Sequence, residues 1–399
     1  MRGGMRFVSA IALQIGSTIT RENTMKKLIV PAAFCMLAVP LQSVAEVSFS
    51  GFANVVAGVA TDDETEYKGY DKDISLNNGS LFALQAYSDL TDGLSATVQV
   101  RAKGSDDWDP EFSWAFLTYE VTPSWRIQAG RQRLPSYLYS DYLDVSYAYH
   151  WIAPPSDVYL AAFDSMDGVS SIHDLAWGDA MVNLRFYYGQ ESFDSSAGGR
   201  VDIDDILITV LNVSYDNWTF RTSYSKAQVT GDIGLGGIAD AWAATPFPQY
   251  GEGFRFEDND YTGLEFGVIY DNLDWLFVAE YVPSEFDKSI VGKGGSWMAS
   301  VGKRLDGGKY MVHFTAGKSK VDANLSVAGA PTGVSSDLDM LIATSQAIID
   351  GSEEDEMFYT AGARWDFHSS AALKAEYTHR ELPDNDSVGV FQLAIVTVF

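Results

Sequence analysis

The feature that most constrains this chain is a two-residue alternation of apolar and polar side chains. It recurs in segments of roughly ten residues from Glu46 to the C-terminus, for example in those that start at Val182, Trp218, Trp275 and Tyr359. Successive side chains of a strand point to opposite faces, and about ten residues suffice for a strand tilted across a bilayer. Helical periodicity is nearly absent. The pattern predicts an all-β protein whose strands have one apolar and one polar face.

Turn signals separate these segments and alternate with longer connections. Short turns are predicted at residues 91–93, 123–124, 178–179, 216–217, 271–272, 306–308 and 369–370. Longer loops are predicted at residues 61–77, 104–110, 134–168, 191–201, 229–258, 284–294, 320–355 and 383–387. Seven turns and eight loops delimit sixteen strands. An even strand number with both termini on the short-turn side is typical of a transmembrane antiparallel 16-stranded β-barrel, in which no sheet edge remains.

A soluble β-propeller is the alternative fold. Propellers place four strands in each blade and repeat a blade motif, and no such repeat is present in the sequence. Outward apolar rows on sixteen consecutive strands would also need a second sheet to cover them in water. The barrel is therefore favoured.

The N-terminus has the pattern of an export signal. Met25 and two lysines precede the apolar run 28–41, and Ser43-Val44-Ala45 follow it, which are the three regions of a secretory signal peptide. The run is shorter than the eighteen residues of a spanning helix. We expect residues 1–24 to be an upstream mis-start segment, 25–45 the signal peptide, and 46–399 a single barrel domain. The only cysteine, Cys35, lies in the signal, which suits export to an oxidising compartment.

The chain is strongly acidic. Its 54 Asp and Glu residues against 27 Lys and Arg give a formal net charge of −27, and nucleic-acid binding requires clustered basic side chains, so no nucleic-acid partner is expected. The acids concentrate in clusters on the long-loop side, at residues 62–66, 106–109, 202–205, 257–260 and 353–356. Either they form a solvated rim, or they chelate Mg²⁺ or Ca²⁺ shared with lipopolysaccharide. None has EF-hand spacing, so no cofactor or resident metal is predicted.

The loop 320–355 contains a helix signal. Ser335-Ser336-Asp337 can cap a helix whose apolar stripe includes Leu338, Leu341 and Ile349, and Gly351 can end it. We expect this helix to fold over the barrel mouth.

Three features of the mature sequence resemble the general porins of Gram-negative outer membranes. Residues 391–399 alternate apolar side chains and end in Phe399, which is similar to the signal read by the barrel assembly machinery. Gly51-Phe52-Ala53 stand in the opening strand, and Trp114-Ala115-Phe116 and Gly130-Arg131-Gln132 precede a long third loop. The resemblance implies an outer-membrane location and a third loop that folds inward and narrows the pore.

The resemblance also implies a homotrimer. Its interface would be formed by the wall around the first and last strands, where small residues permit close packing: Gly51, Ala53, Ala57 and Gly58. Lipopolysaccharide and outer-membrane lipid would surround the rest of the barrel.

The third loop is acidic and aromatic. No Lys or Arg lies between Arg133 and Arg185. The candidate constriction residues are three aspartates, Asp141, Asp144 and Asp157, and three tyrosines, Tyr137, Tyr139 and Tyr142. The rings can either pack the loop against the wall or line a slot for solutes.

General porins carry a basic cluster on the wall opposite that loop, and this chain matches it only in part. Glu111 and Ser113 stand where the family commonly has basic residues. Alternation indicates other inward basic residues: Arg101, Lys103, Arg126, Arg185, Arg221, Arg304, Arg364, Lys374 and Arg380, with Glu265, Glu280 and Glu376 among them. A lipid-facing Arg or Lys costs about 2–4 kcal/mol at midplane, so these side chains are expected to face water. Arg131 shares the outward row of Trp125 and Ile127, and reaches the wall of the pore only past a strand end or a bulge at Gly130.

No catalytic arrangement is implied by the spacing of the five histidines, His150, His173, His313, His368 and His379, so we do not expect an enzyme. Sixteen strands enclose an aqueous lumen. The sequence therefore predicts passive diffusion of small hydrophilic solutes and ions, with a weak preference for cations. A substrate-specific channel for a sugar or small organic ion, and an adhesion or structural barrel acting through its loops, remain alternatives.

Overall fold

The structure is a computed structural model that describes residues 46–61, 69–159, 163–195, 199–382 and 386–399. The signal peptide, the segment before it and the acidic cluster 62–66 lie outside the described residues. No helix in the described ranges is long and apolar enough to cross a membrane.

Sixteen antiparallel strands form one closed barrel, in which each strand pairs with its chain neighbours and β1 pairs with β16. In chain order the strands are β1 Val47–Ala60, β2 Leu81–Thr91, β3 Leu94–Lys103, β4 Pro110–Thr122, β5 Trp125–Arg133, β6 Ser165–Trp177, β7 Ala180–Asp194, β8 Arg200–Tyr215, β9 Trp218–Gly231, β10 Phe256–Asp271, β11 Trp275–Phe286, β12 Lys293–Leu305, β13 Tyr310–Asp322, β14 Glu354–His368, β15 Ala371–Glu381 and β16 Ser387–Val398. Within the described parts of the long loops there are two α-helices, α1 Gly236–Ala243 and α2 Ser336–Asp350. Short 3₁₀ turns are Gly104–Asp106, Ser140–Tyr142, Ser146–Ala148, Pro248–Gly251 and Asp306–Gly308.

The strand count and all seven predicted turns are confirmed. Gly93 and Asp216 lie in two of these turns with positive φ values of 74° and 52°, a conformation that Gly and Asp adopt more readily than most residues. Three of the acidic clusters are not confined to loops as predicted, and one of them, residues 353–356, lies mostly on the first residues of β14. Residues 202–205 lie on the loop-side end of β8 and residues 257–260 on that of β10, because both strands are 16 residues long.

Alternation along each strand separates a lipid-facing row from a lumen-facing row. In β11, Phe277 and Tyr281 are 46% and 49% exposed, whereas Val278 and Glu280 between them are each 2% exposed. Apolar side chains in the exposed row are favourable because they face the lipid of the bilayer and not water. Side chains of the inward row are buried because loop residues inside the barrel cover them.

The seam between β1 and β16 closes around Phe399. The backbone N–H of Phe399 donates to the Gly51 carbonyl at 2.9 Å, and Gly51 N–H donates back at 2.8 Å. The Phe399 ring stacks on Phe82 at 6.0 Å and covers Gly51 so closely that a Cβ there would lie 2.5 Å from it.

One residue of the predicted trimer wall is misplaced. Gly58 shares the inward row of Val56 and Ala60, which are 0% and 4% exposed, and a Cβ at Gly58 would lie 2.2 Å from the Tyr70 ring. Gly58 is therefore small because the Tyr70 ring packs against it, and it does not face a neighbouring subunit. Ala53 and Ala57 lie on the outward row with Val55, which is 56% exposed.

The predicted helix is confirmed as α2. The Ser335 hydroxyl accepts a hydrogen bond from Leu338 N–H at 3.2 Å, and Gly351 follows the last turn. Leu338 and Ile349 pack in one cluster with Trp242 of α1 and Ile290 of the loop between β11 and β12. We call this cluster the cap. Its other helix, α1, was not predicted, since residues 234–237 are glycine-rich.

Candidate functional site in the barrel lumen

The third loop, residues 134–164 between β5 and β6, crosses the interior of the barrel. Its Leu138 N–H donates to Glu280 of β11 at 2.8 Å, and its Trp151 indole donates to Thr315 of β13 at 2.8 Å. Its Ile152 N–H donates to Glu376 of β15 at 2.7 Å. Strands β11 to β15 lie across the closed sheet from β5 and β6, so the loop reaches them only through the lumen.

Aromatic side chains pack the loop against the far wall. Tyr139, Tyr149 and Trp151 are 4%, 5% and 1% exposed. The Tyr139 ring makes edge-on contacts with Tyr149 at 5.8 Å and with Trp151 at 5.4 Å. These rings form one core with wall residues that include Val278 and Phe358. For these side chains the packing interpretation is correct, because a buried ring cannot line a solute path.

Several wall cations hold the loop by its backbone. The Lys374 ammonium donates to the carbonyl oxygens of Ser146 at 2.5 Å, Tyr149 at 2.9 Å and Trp151. Arg364 donates to the carbonyls of Tyr147 and Tyr149 at 2.9 and 2.7 Å.

Arg221 donates to the Pro135 carbonyl at 2.6 Å and lies 3.3 Å from Glu265. A loop without regular secondary structure has many carbonyls to satisfy when it is buried. These cations supply the missing donors.

Other wall cations bind the loop's carboxylates. Asp141 pairs with Arg185 at 2.8 Å and Asp157 with Arg380 at 3.0 Å. Asp144 accepts from both Arg101 and Arg133 at 2.6 Å.

Asp164, at the end of the loop, also contacts Arg101 and Arg133, at 2.5 and 3.1 Å, with Lys103 at 3.8 Å. Burial would raise the pKa of Asp144, but the guanidinium groups of Arg133 and Arg101 outweigh it and lower the pKa to about 2. The pKa of Asp164 is lowered for the same reason.

Several inward ion pairs remain open to solvent. Arg126 pairs with Asp174 at 2.6 Å, with exposures of 40% and 36%. Arg304 binds Asp271 through two hydrogen bonds of 2.6 and 2.7 Å. Glu111, paired with Arg101 at 2.6 Å, is 48% exposed. Ser113 is buried and donates to Gln99 at 2.8 Å.

The expectation that the inward cations face water is wrong for four of them. Arg101, Arg221, Lys374 and Arg380 are 4%, 5%, 1% and 8% exposed, because the third loop covers them. They lie on the inward face as predicted, but they fasten the loop.

The pore-wall assignment of Arg131 is also corrected. Its register partners are Ala115 and Asp167, and Gly130, although its φ is 128°, causes no shift of register. Arg131 therefore remains in the row of Trp125 and Ile127, where it pairs with Asp167 at 3.3 Å and Glu191 at 2.7 Å.

Sequence reasoning missed two components of the site. Arg133 and Asp164 lie at the two ends of the loop and complete the cluster around Asp144. The sequence feature that could have identified them is their position beside the ends of β5 and β6. The fold also brings His150 to Ser300 at 2.9 Å, which no spacing implied. Both side chains are buried where the loop meets the wall, at 2% and 6% exposure, so this pair offers no access to a substrate. Among the described residues, no group of three or more His, Cys, Asp or Glu side chains is placed to hold a metal ion.

Known structures with a similar fold are outer-membrane proteins. OmpF of Salmonella typhi, solved with daunomycin, gives a TM-score of 0.57 at 13% identity over 89% of this chain and 98% of that chain. The anion-selective porin from Comamonas acidovorans gives 0.55 at 14% identity over 89% and 100%. The trimer form of OmpT, an outer-membrane protein of Vibrio cholerae, gives 0.53 at 13% identity over 90% and 100%.

No protein-family model matches the sequence, and no curated protein is similar to it. The likeness is one of architecture, and it extends over 89–90% of this chain. This chain has the fold of the outer-membrane porins.

Proposed function

We propose that this protein is an outer-membrane porin, a water-filled channel for passive diffusion of small hydrophilic solutes and ions. The support is that inward-facing charged groups remain accessible beside the third loop. Arg126, Asp174 and Glu111 keep 40%, 36% and 48% of their side-chain surface exposed. Charged side chains of this exposure need water around them, so the lumen holds a hydrated passage that the loop narrows.

The proposed channel prefers cations weakly. The carrying observation is that in most of the inward ion pairs the carboxylate is the more exposed partner, with the buried Arg380–Asp157 pair as an exception. Glu111 is 48% exposed against 4% for Arg101, and Asp141 is 37% exposed against 22% for Arg185. In the Arg126–Asp174 pair the two exposures are similar. A permeating ion therefore meets more carboxylate oxygen than guanidinium, although each pair is nearly neutral, and the preference is small.

Reversal potentials in a salt gradient across a planar bilayer test this proposal. The wild type is expected to show a small cation-selective potential, and Glu111→Gln and Asp141→Asn each shift it toward anions. Asp106→Asn, on the exposed loop between β3 and β4, is the matched control. Its effect should vanish at high salt, since the Debye length shrinks from about 8 Å at 0.15 M to 3 Å at 1 M. Anion selectivity in the wild type would refute the cation preference, and the absence of conductance would refute the channel.

The proposal includes a homotrimer that contacts lipopolysaccharide and outer-membrane lipid and is inserted by the barrel assembly machinery through its Phe399 end. The trimer form of the Vibrio cholerae protein, which has the same fold, supports the stoichiometry. The outward row of β1 is consistent with close contact, because Ala53 and Ala57 flank Val55. Light scattering after mild extraction measures the mass directly, and a monomer-sized particle would contradict the trimer.

A further inference from the structure

The inner wall of the barrel is not polar throughout. The lumen-facing row of β8 contains Val201, Ile203, Ile206 and Ile208, which are 2%, 5%, 3% and 1% exposed. Leu207 between them points outward and is 44% exposed. A hydrated pore gains nothing from an aliphatic inner row, because apolar surface is unfavourable against water. On the loop side of β8 the outward face carries Asp202 and Asp204 whereas the inward face is aliphatic, so contact with lipid does not explain the aliphatic row.

This apolar row borders a cavity of about 290 Å³. Val229 of β9 and Phe256 of β10 continue the wall, and Leu134 at the start of the third loop contributes from inside the barrel. Leu235 and Ile290, which belong to the cap, line it as well. The cavity is thus bordered by three parts of the fold: the barrel wall, the start of the third loop and the cap.

The lining is mainly apolar, with five serines and two tyrosines among its residues. Two charged residues are among the lining residues, Lys226 and Glu354, and Lys226 lies 3.8 Å from Asp260. A charged ligand would lose its hydration without gaining a dedicated counter-ion, which is costly in an apolar space. The Ser225 side chain, on the lumen face of β9, can accommodate one hydroxyl group.

Size narrows the ligand class further. Apolar cavities of about 150 Å³ lined by Leu, Ile and Phe stay dry and bind benzene, and this cavity has roughly twice that volume. We propose that it is a binding site for a neutral hydrophobic molecule with a ring system about the size of naphthalene. The site lies between the cap and the third loop, so it goes beyond the passage for hydrophilic solutes.

Equilibrium dialysis of 1-naphthol against the full chain in lipid nanodiscs tests the site, with empty nanodiscs subtracted for partition into lipid. The wild type is expected to bind one molecule per chain saturably, and excess glucose should displace none. Ala227→Phe places a ring into the cavity that Ala227 lines and should weaken binding at least tenfold. Ala279→Phe adds the same ring to the lipid-facing row of β11 between Phe277 and Tyr281, and should leave binding unchanged.

Folding of each variant is checked by heat-modifiable migration, and Val229→Phe fills the cavity from a second position if Ala227→Phe does not fold. Binding by the wild type that is no greater than that of empty nanodiscs overturns the proposal. Equal binding by the wild type and a folded cavity-filling variant also overturns it. Bilayer conductance is measured on the same preparations, so that failure of the hydrophobic site is distinguished from failure of the channel.

Discussion

Replacing Lys374 with Met tests whether wall cations hold the third loop in place. Lys374 is 1% exposed, and Met keeps most of its volume while removing the ammonium group. Of the three carbonyls that Lys374 binds, Tyr149 retains Arg364 at 2.7 Å, and Ser146 retains the Tyr149 N–H at 3.5 Å. The Trp151 carbonyl loses the donor that Lys374 supplies.

The size of the effect follows from these contacts. An unsatisfied buried polar group costs about 1–3 kcal/mol, and with one carbonyl orphaned and two weakened we expect a local cost of about 2–4 kcal/mol. Each 1.4 kcal/mol is a factor of ten in an equilibrium. Opening of the loop segment 146–152 should therefore become about 30- to 700-fold more populated, while the strands of the barrel stay protected.

Hydrogen exchange followed by mass spectrometry measures this opening at the amides of residues 146–152. Lys318→Met is the matched control, since Lys318 pairs with Asp355 near the loop-side end of β13 at 35% and 57% exposure. Partly exposed pairs of this kind contribute about 0–1 kcal/mol. If exchange of the loop segment in Lys374→Met is no faster than in Lys318→Met, the loop is held by its aromatic core, and the anchoring argument is wrong.

Three further outcomes are expected. Burial and the neighbouring His313 hold the pKa of His150 well below its usual value. His150 therefore binds a proton more readily when the loop is open than when it is packed. The stability that neutral His150 gives the packed loop is complete above about pH 6.5 and is lost as pH falls. Loop exchange, corrected for its intrinsic pH dependence, should accelerate between pH 7 and 5 in the wild type and not in His150→Gln. Phe399→Ala should lower the refolding yield in detergent more than Phe391→Ala, because Phe399 alone of the two covers Gly51 at the seam; equal yields would contradict this. Ser335→Ala removes the cap of α2 at a cost of about 1 kcal/mol, and should speed exchange of its first turn about fivefold without changing conductance.

The barrel was predictable from local information. The alternation in β9 and β11 and turn residues such as Asp216 depend only on positions that are close together in the chain. Closure of the barrel follows because no strand edge can remain unpaired in lipid. The helix α2 was predictable for the same reason, since Ser335 and Gly351 act within one turn.

The interior was predictable only in part because its contacts are far apart in sequence. Alternation places Lys374 on the inward face but does not reveal that a loop more than two hundred residues earlier covers it. In the sequence, a charged inward residue that contacts water cannot be distinguished from one that contacts buried carbonyls. The aliphatic row at Ile206 and Ile208 was obscured because Leu207 makes the segment continuously apolar, and the bulge at residues 204–207 interrupts the register. Arg131 is the opposite case, because the two-residue alternation of β5 alone was sufficient to place its side chain on the outward face.

The clamping of the third loop has a consequence for the order in which the molecule assembles. The loop is made early in the chain, but Lys374, Glu376 and Arg380 all belong to β15, the penultimate strand. Before β15 is in place, the carbonyls of residues 146 and 151 and the Asp157 carboxylate lack these partners, although Thr315 of β13 and Arg364 of β14 already contact the segment. The final hairpin therefore closes the barrel and also completes the contacts that hold the loop, which couples the shape of the passage to completion of the wall.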